Sequence, residues 1–200
     1  MIDTILIVSL IVLLVWAFWP LPGGSIFTDL AWRAFAWFVS RERIAAYLIK
    51  RAMRTPYTEI PGYMKRYWLF NPYDKVHGNE VAPIRWLPSI RVHHILRRDN
   101  DRHLHDHPWN ARTVILKGYY TEVRIDDENY MRLRGYTGPI NHGEYHAITS
   151  VSDGGVWTLF ITFGYLSTWG FLVDGQKVPW RDYMDRYPEK PWAQDDKDSQ

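Results

Sequence analysis

Three histidines at alternate positions, His103, His105 and His107, lie in the run HLHDHPWN, just before a strand-like run at 113–123. Alternate side chains of an extended chain point to the same face, so these imidazoles can converge on one point. His146 opens a second strand-like segment, HAITSV. Two histidines on one strand and a third on a partner strand would offer three nitrogen ligands to a divalent metal, with positions left for substrate. The pattern predicts a metal site within a β-structure.

A polar strand edge is the ordinary alternative for such a pair, because the chain has eight histidines. Two features favour the metal site. Pro108 follows the pair directly and would end regular strand pairing there. The segment from Gly135 repeats a strand–turn–strand pattern with its histidine at a comparable place.

At these residues the chain resembles the cupins. The first cupin motif has an HxH pair, a Glu a few residues later and a Gly that turns into the next strand. His105 and His107 match the pair and Gly118 matches the glycine, whereas Ala111 occupies the Glu position. The leading glycine of that motif is also absent. The usual carboxylate ligand of the family is therefore missing here.

The second cupin motif ends in Gly-x-x-His, which Gly143 and His146 match, although its Pro is displaced to Pro139 and its closing Asn is replaced by Ser150. More closely, the chain is similar to poorly characterised HDHPW-containing cupin-like proteins of bacteria and phages. The shared segments here are YMKRYWLF, HDHPW, WTLFITFG and WGF, within about residues 60 to 183. The resemblance implies a mostly β, cupin-type double-stranded β-helix (a jelly-roll barrel), but no settled activity.

The resemblance also implies the ligand set His105, His107 and His146, with His103 accessory or exposed. Asp106, between the pair, should point away from the metal and hold neighbouring backbone. Glu144 has the same parity as His146 and could supply the missing carboxylate. A 2-oxoglutarate oxygenase would need His-x-Asp, but Leu104 lies two residues before Asp106. A three-histidine site resembles instead the thiol dioxygenases and some cupin isomerases, which implies iron, with zinc, manganese or nickel as alternatives.

The amino terminus predicts a membrane anchor over residues 1–22. The run ILIVSLIVLLVWAFW at residues 5–19 is apolar except for Ser9, and with its neighbours it approaches the roughly 20 residues that cross a bilayer. Trp16 and Trp19 suit an interfacial position. No basic residue precedes the run and no A-x-A site follows it, unlike a cleaved signal peptide. The alternative is a buried core helix.

The distribution of charge predicts a single-pass protein whose folded part faces the cytoplasm. Only Asp3 precedes the apolar run, whereas basic residues follow it soon: Arg33, Arg41, Arg43, Lys50, Arg51 and Arg54. Basic residues stay on the cytoplasmic side of a membrane segment. The absence of cysteine is compatible with that side.

Residues 23–58 form an amphipathic helical segment in this interpretation. A helix starts near Thr28 and Asp29, and apolar residues recur at helical spacing over about 26–39 and 41–54. These helices could pack on the barrel or lie in the lipid headgroup layer with Trp inserted and Arg toward phosphate. The two alternatives remain open.

The remaining chain suits one modest domain, with a cupin domain at 59–187 and a polar tail at 188–200. Its net charge of +2 argues against a nucleic-acid partner, whereas a homo-oligomer remains open. Two function classes follow. The first is a metal-dependent enzyme, iron dioxygenase-like or an isomerase, acting on a small molecule, with polar partners among Tyr119, Tyr145, Arg112 and Glu144. The second is a non-catalytic membrane-tethered ligand-binding or scaffold module with a structural metal.

Overall fold

The computed structural model describes residues 26–76, 79–101 and 103–187. Two helices, α1 (Ile26–Val39) and α2 (Glu42–Ala52), precede a β-domain, and a short helix, α3 (Trp180–Arg186), ends it. The strands are β1 (Met64–Phe70), β2 (Asp74–Val76), β3 (Asn79–Val81), β4 (Ser89–Ile95), β5 (Trp109–Lys117), β6 (Tyr119–Arg124), β7 (Asn129–Leu133), β8 (Thr137–Ile140), β9 (His146–Val151), β10 (Val156–Tyr165), β11 (Gly170–Val173) and β12 (Gln176–Pro179).

The larger layer is an antiparallel five-stranded sheet, here called the first sheet, with the order β1-β4-β10-β5-β8. The second layer contains the sheet β7-β6-β9 and the hairpin β11-β12. The backbone of His105 joins these two parts, because it forms antiparallel bridges to both His146 and Phe171.

The chain passes repeatedly between the two layers. Strand β5 belongs to the first sheet, β6 and β7 to the second layer, β8 to the first sheet, β9 to the second layer and β10 to the first sheet. Such alternation between two antiparallel layers is the arrangement of a jelly roll. The prediction of a mostly β, double-sheet fold is confirmed.

Gly118 makes the first of these passages. The sequence predicts one strand over 113–123, but β5 ends at Lys117 and β6 begins at Tyr119 in the other layer. Gly118 has a positive φ of 79°, and a Cβ at this position would lie 2.8 Å from the carbonyl oxygen of Gly155. Only glycine combines that backbone angle with such close packing. The predicted strand is therefore two strands on opposite layers.

Helices α1 and α2 cover the face of the first sheet that points away from the second layer, here called the outer face. The apolar side of each amphipathic helix packs into a buried cluster on this face. The helical members are Trp32, Phe35, Ala36, Val39, Ala45, Leu48 and Ala52, and the strand members include Ile90, Val92, Val114, Leu116, Leu159 and Ile161. Of the two alternatives for these helices, packing on the barrel is the one observed.

Within residues 26–76, 79–101 and 103–187, no helix is both long enough and apolar enough to cross a membrane. The anchor predicted for residues 1–22 lies outside the described residues. The polar tail predicted for residues 188–200 also lies outside them.

Candidate metal centre

His105, His107 and His146 come together between the two layers. One potential ligand atom from each side chain lies within 4.8 Å of those of the other two. The Nε2 atoms of His107 and His146 are 3.0 Å apart. Two imidazole nitrogens bound at 2.0–2.1 Å to one metal in adjacent octahedral positions would also be about 3 Å apart. The structure thus places the three histidines predicted from sequence in one cluster.

Backbone pairing, rather than a long strand, holds the cluster. The amide of His105 donates to the carbonyl of His146, and the amide of His146 donates to the carbonyl of His105, each at 3.0 Å. The sequence predicts the HxH pair at the entry of a regular strand, but His105 forms only isolated bridges and β5 begins later, at Trp109. His105 and His107 still point to the same side, because this segment is extended.

A buried carboxylate lies behind His146. Glu122 on β6 is fully buried, and its Oε2 lies 3.2 Å from Nδ1 of His146. Its Oε1 accepts hydrogen bonds from Nε of Arg124 at 3.0 Å and from Nε of Arg132 at 2.9 Å. Because the carboxylate takes Nδ1, the Nε2 of His146 is left for the centre of the cluster. Carboxylates commonly orient metal-binding histidines in this way.

The charges around Glu122 keep it ionised. Burial alone would raise its pKa, but the hydrogen bond and charge of His146, together with Arg124 and Arg132, outweigh burial and lower the pKa to about 2. Nothing in the sequence pattern pointed to Glu122. The first motif has its carboxylate at the position of Ala111, whereas Glu122 comes after the Gly118 turn and approaches His146 from the second layer.

A second carboxylate lies near His105. Oδ2 of Asp99 is 4.0 Å from Nδ1 of His105, and it accepts a hydrogen bond from the amide of Ile148 at 2.7 Å. The hydroxyl of Tyr63 donates to Oδ1 of Asp99. Burial, followed by the neighbouring Asp99, raises the pKa of Tyr63 well above its usual value, so the phenol stays protonated.

The enclosed position of the cluster keeps two imidazoles neutral. Burial lowers the pKa of His105 to about 4, despite the opposing charge of Asp99. Burial, followed by the charges of His105 and His146, lowers the pKa of His107 well below its usual value. A metal ligand must be a neutral imidazole. These rings are therefore ready to bind a cation at neutral pH without first losing a proton.

Asp106 points away from the cluster, as predicted. It is fully buried, and its Oδ1 accepts a hydrogen bond from the amide of Gly170 at 2.8 Å. Lys177 donates to Oδ2 at 2.6 Å, and Nδ1 of His142 lies 3.6 Å from the same oxygen. Asp106 thus ties the histidine segment to the β11-β12 hairpin.

His103 and Glu144, the two residues considered as further ligands, have other partners. Nδ1 of His103 lies 3.0 Å from the hydroxyl of Tyr183. The carboxylate of Glu144 accepts hydrogen bonds from the backbone and side-chain amides of Asn141, at 3.1 and 2.9 Å, and pairs with Arg124 at 3.5 Å. Neither belongs to the group that could hold a metal among the described residues.

The histidine cluster opens onto a cavity of about 370 Å³ between the layers. Polar side chains of its wall include Tyr63, Arg66, Arg91, His93, Asp99 and Thr158. The polar partners suggested by sequence lie elsewhere: Tyr119 is exposed, and Arg112 stacks on Trp32, 4.7 Å from the ring centre, on the side of the helices. Tyr145 does not contribute to the cavity wall among the described residues.

The sequence did contain a signal for the missed wall residues. The polar residues Arg91 and His93 of strand β4, Ser89–Ile95, alternate with the apolar residues Ile90 and Val92. Such alternation is usually read as one exposed face. Here helices cover the other face, so both sets of residues are buried, and that covering could not be read from the strand alone.

The donor set fits a divalent transition metal. Imidazole ligands suit zinc, copper, iron and nickel, and three neutral nitrogens within bonding reach of one point, one of them oriented by a buried carboxylate, satisfy the requirements for a metal-binding group. The cavity beside the cluster leaves space for exchangeable ligands.

No family model matches the chain. No curated protein matches it either. Among solved structures, a cupin 2 conserved barrel domain protein from Rhodopseudomonas palustris is 12% identical, with a TM-score of 0.41, over 60% of this chain and 77% of that chain. A cupin-like protein from Thermotoga maritima is 14% identical, with a TM-score of 0.37, over 64% of this chain and 86% of that one.

A DMSP lyase structure is 16% identical to this chain, with a TM-score of 0.38. The match covers 50% of this chain and spans 47% of the length of that one, so less than half of the lyase has a counterpart here. At these TM-scores none of the three likenesses supports an argument about the activity of this chain.

Proposed function

We propose that this chain is a membrane-anchored, cupin-type metal-binding protein and that it acts as a metal-dependent enzyme, iron dioxygenase-like or an isomerase, on a small molecule. One observation carries the proposal: His105, His107 and His146 form a cluster that faces a cavity of about 370 Å³. Cavities of roughly 300–1,000 Å³ are typical of small-molecule sites.

A divalent metal held by these histidines would supply Lewis-acid chemistry or, as iron, redox chemistry. The protein contributes the surroundings. Glu122 orients the His146 ring through Nδ1, and the backbone bridge between His105 and His146 sets the distance between two of the ligands. Trp109, Phe160 and Trp169 line the cavity beside the histidines and make this part of its wall apolar.

The second function class, a scaffold or binding module with a structural metal, needs a closed coordination shell. His103 and Glu144 would be the residues to close it, but Nδ1 of His103 contacts the hydroxyl of Tyr183 and the carboxylate of Glu144 is hydrogen-bonded by Asn141. Three histidines fill only half of an octahedral shell. This arrangement favours a site with exchangeable positions over a structural one.

Elemental analysis of the purified full-length chain tests the metal site. We expect about one divalent metal per chain. The substitutions His105→Ala, His107→Ala and His146→Ala should each remove most of it, whereas the control His103→Ala should retain it. Full metal content in a folded His146→Ala variant would refute the proposed ligand set.

Binding of nitric oxide to the ferrous protein distinguishes an enzyme from a scaffold. An iron with exchangeable positions should bind nitric oxide and give a new absorption band. A closed site should not respond. A band that appears only in Glu144→Ala would mean that Glu144 had closed the shell, contrary to the proposal.

The membrane part of the proposal rests on the apolar run at 5–19 and on the basic residues that follow it. We propose a single-pass anchor with the β-domain in the cytoplasm. The full-length chain should fractionate with membranes and resist extraction by high salt, because burial of about 15 apolar side chains is insensitive to charge screening. Protease added outside intact cells should leave the β-domain intact; its digestion would overturn the orientation.

A further inference from the structure

The face of the first sheet that lines the cavity, here called the inner face, carries a positively charged region beside the metal centre. On β4, Arg91 and His93 both point to this face and line the cavity, and Arg66 of the neighbouring strand β1 lines it as well. Asp99 and Asp101 lie in the same cavity wall. Asp99 accepts hydrogen bonds from Tyr63 and from the amide of Ile148.

His93 is a buried polar group whose ring reaches the cavity. It is 7% exposed, and its Nε2 has no hydrogen-bond partner among the residues that the structure describes. The ring stacks on Phe160, with 4.8 Å between ring centres and 26° between planes. Burying such an atom without a partner is costly. A ligand in the cavity would supply the missing hydrogen bond.

Arg91 supplies a charge at the same place. The residue is 1% exposed, and its guanidinium carbon lies 4.8 Å from the ring centre of Trp109 and 5.4 Å from that of Phe160. The rings of Trp68 and Tyr73 are at 5.3 and 5.4 Å. Aromatic faces stabilise a cation through the quadrupole of the ring. The charge of the guanidinium is thereby stabilised at the cavity wall.

Phe160 connects this region to the metal centre. Its ring contacts His93 on one side and is 6.1 Å from the ring of His107 on another, and its strand pairs Phe160 directly with Arg91. A ligand of a few bond lengths could therefore touch both Arg91 and the histidine cluster.

From this arrangement we propose that the cavity binds a small organic oxyanion, whose carboxylate or phosphate group lies against Arg91 and His93 while the rest of the molecule packs on Phe160 and Trp109 and extends toward His105, His107 and His146. Arginine presents a planar fork of donors that matches such groups. The inference names the substrate class of the proposed enzyme and rests on that proposed function for its chemical use, but the binding itself does not require the metal.

Isothermal titration calorimetry of the full-length protein with benzoate, phenyl phosphate and benzamide tests the proposal. The three probes share a ring but differ in their polar group. At least one of the two anions should bind, and the uncharged benzamide should bind about tenfold more weakly or worse, as expected for loss of a charge-assisted hydrogen bond. The stronger anion identifies the group as carboxylate or phosphate. Equal affinity for benzamide, or no binding of either anion, would overturn the proposal.

Paired variants locate the site. Arg91→Met and His93→Phe should each weaken anion binding by about tenfold or more. Their matched controls are Arg112→Met, which removes a ring-stacked arginine on the side of the helices, and His94→Phe, which removes the neighbouring outward histidine stacked on Trp157 at 4.0 Å. Anion affinity that is unchanged in both Arg91→Met and His93→Phe would place the ligand elsewhere and overturn the proposal.

Two further measurements keep the result interpretable. If Arg91→Met does not fold, Arg91→Lys takes its place. This variant retains the charge but loses the planar fork of donors, so it should bind the anion more weakly than the parent protein but still measurably. Metal content, measured on the same samples, separates the two proposals. Protein that lacks metal but binds the anion through Arg91 would support this inference and refute the metal site. Protein that contains metal but binds neither anion would support the metal site and refute this inference.

Discussion

The two faces of the first sheet differ in composition although both are buried. On β4, Ile90 and Val92 are each 0% exposed against helices α1 and α2, while Arg91 and His93 are 1% and 7% exposed on the inner face. Apolar burial on the outer face stabilises the fold directly. A buried arginine and a buried histidine cost free energy unless they are compensated. The outer face therefore holds the domain together, whereas the more polar inner face is the side that lines the cavity.

Truncation of the outer face should have the largest effect on stability. Leu159 on β10 is fully buried in the cluster under the helices. Leu159→Ala removes apolar contacts and leaves a cavity, so the free energy of unfolding should fall by about 2–5 kcal/mol. Urea unfolding measures this loss. Metal content per folded molecule should not change; a parallel loss of metal would mean that the outer face and the metal centre are not independent.

Acid should destabilise the metal-free protein through the histidine cluster, which lines the cavity and not the buried outer face. The pKa of His105 is about 4 in the fold, against 6.5 when it is unfolded. Between these values the unfolded chain binds more protons, so stability is full above pH 6.5 and declines as pH falls toward 4. The loss could reach about 3 kcal/mol from this residue. Urea unfolding in the presence of a chelator, at a series of pH values across that interval, measures it.

A variant without the titrating ring gives the control for that pH dependence. His105→Gln should show a shallower decline over the same interval, because the remaining histidines titrate as before. An identical slope in the variant would show that His105 is not responsible for the loss.

Glu122, the carboxylate behind His146, should affect the affinity for the metal although it is not itself a ligand. Glu122→Gln keeps the shape of the side chain but removes its charge, and loss of such an orienting partner typically weakens metal binding by about 10–100-fold. Competition with a chelator of known affinity measures the change. The matched control is Glu144→Gln, which removes a carboxylate paired with the same Arg124 but outside the cluster. Equal effects of both substitutions would argue against a specific role for Glu122.

Substitutions on the solvent-facing side of helix α1 should change the stability least. Trp37 is 58% exposed, and the guanidinium of Arg41 stacks on it at 3.9 Å. Trp37→Ala should change the free energy of unfolding by only about 0.5–1 kcal/mol. Trp32, on the buried side of the same helix, is 5% exposed, and Trp32→Ala should cost several times more. Comparable losses of unfolding free energy in the two variants, measured by urea unfolding, would contradict the observed assignment of the buried and exposed sides of the helix.

Much of the architecture was predictable because it depends on local patterns. The helices at 26–39 and 41–54 were expected from apolar periodicity, and the structure has them at Ile26–Val39 and Glu42–Ala52. Short edge elements were missed, including the hairpin of β11 and β12 and the helix Trp180–Arg186. Their few residues carry little periodicity, so their pairing is set by contacts with the rest of the domain.

The candidate site divides in the same way. Spacing groups His103, His105 and His107, because an extended chain repeats its side-chain direction every two residues. The resemblance to the cupin motifs implied that His105, His107 and His146 are the ligand set. Glu122 could not be found from the motif that led to Ala111, since its approach depends on Gly118 sending β6 to the opposite layer. Arg91 and His93 could not be identified as cavity residues, because the alternating pattern of their strand indicates that its polar side faces solvent.

The sequence by itself determined the β-class of the domain and the amphipathic helices, since both follow from periodicity and local backbone preference. It also indicated the three clustered histidines, through their resemblance to known motifs. Only the tertiary structure decided that the helices pack on the outer face, that Glu122 rather than a motif residue supports His146, and that Arg91 and His93 line a cavity beside the cluster. The reason is that these features depend on which faces of distant strands meet, and contacts between distant segments leave no local pattern in the chain.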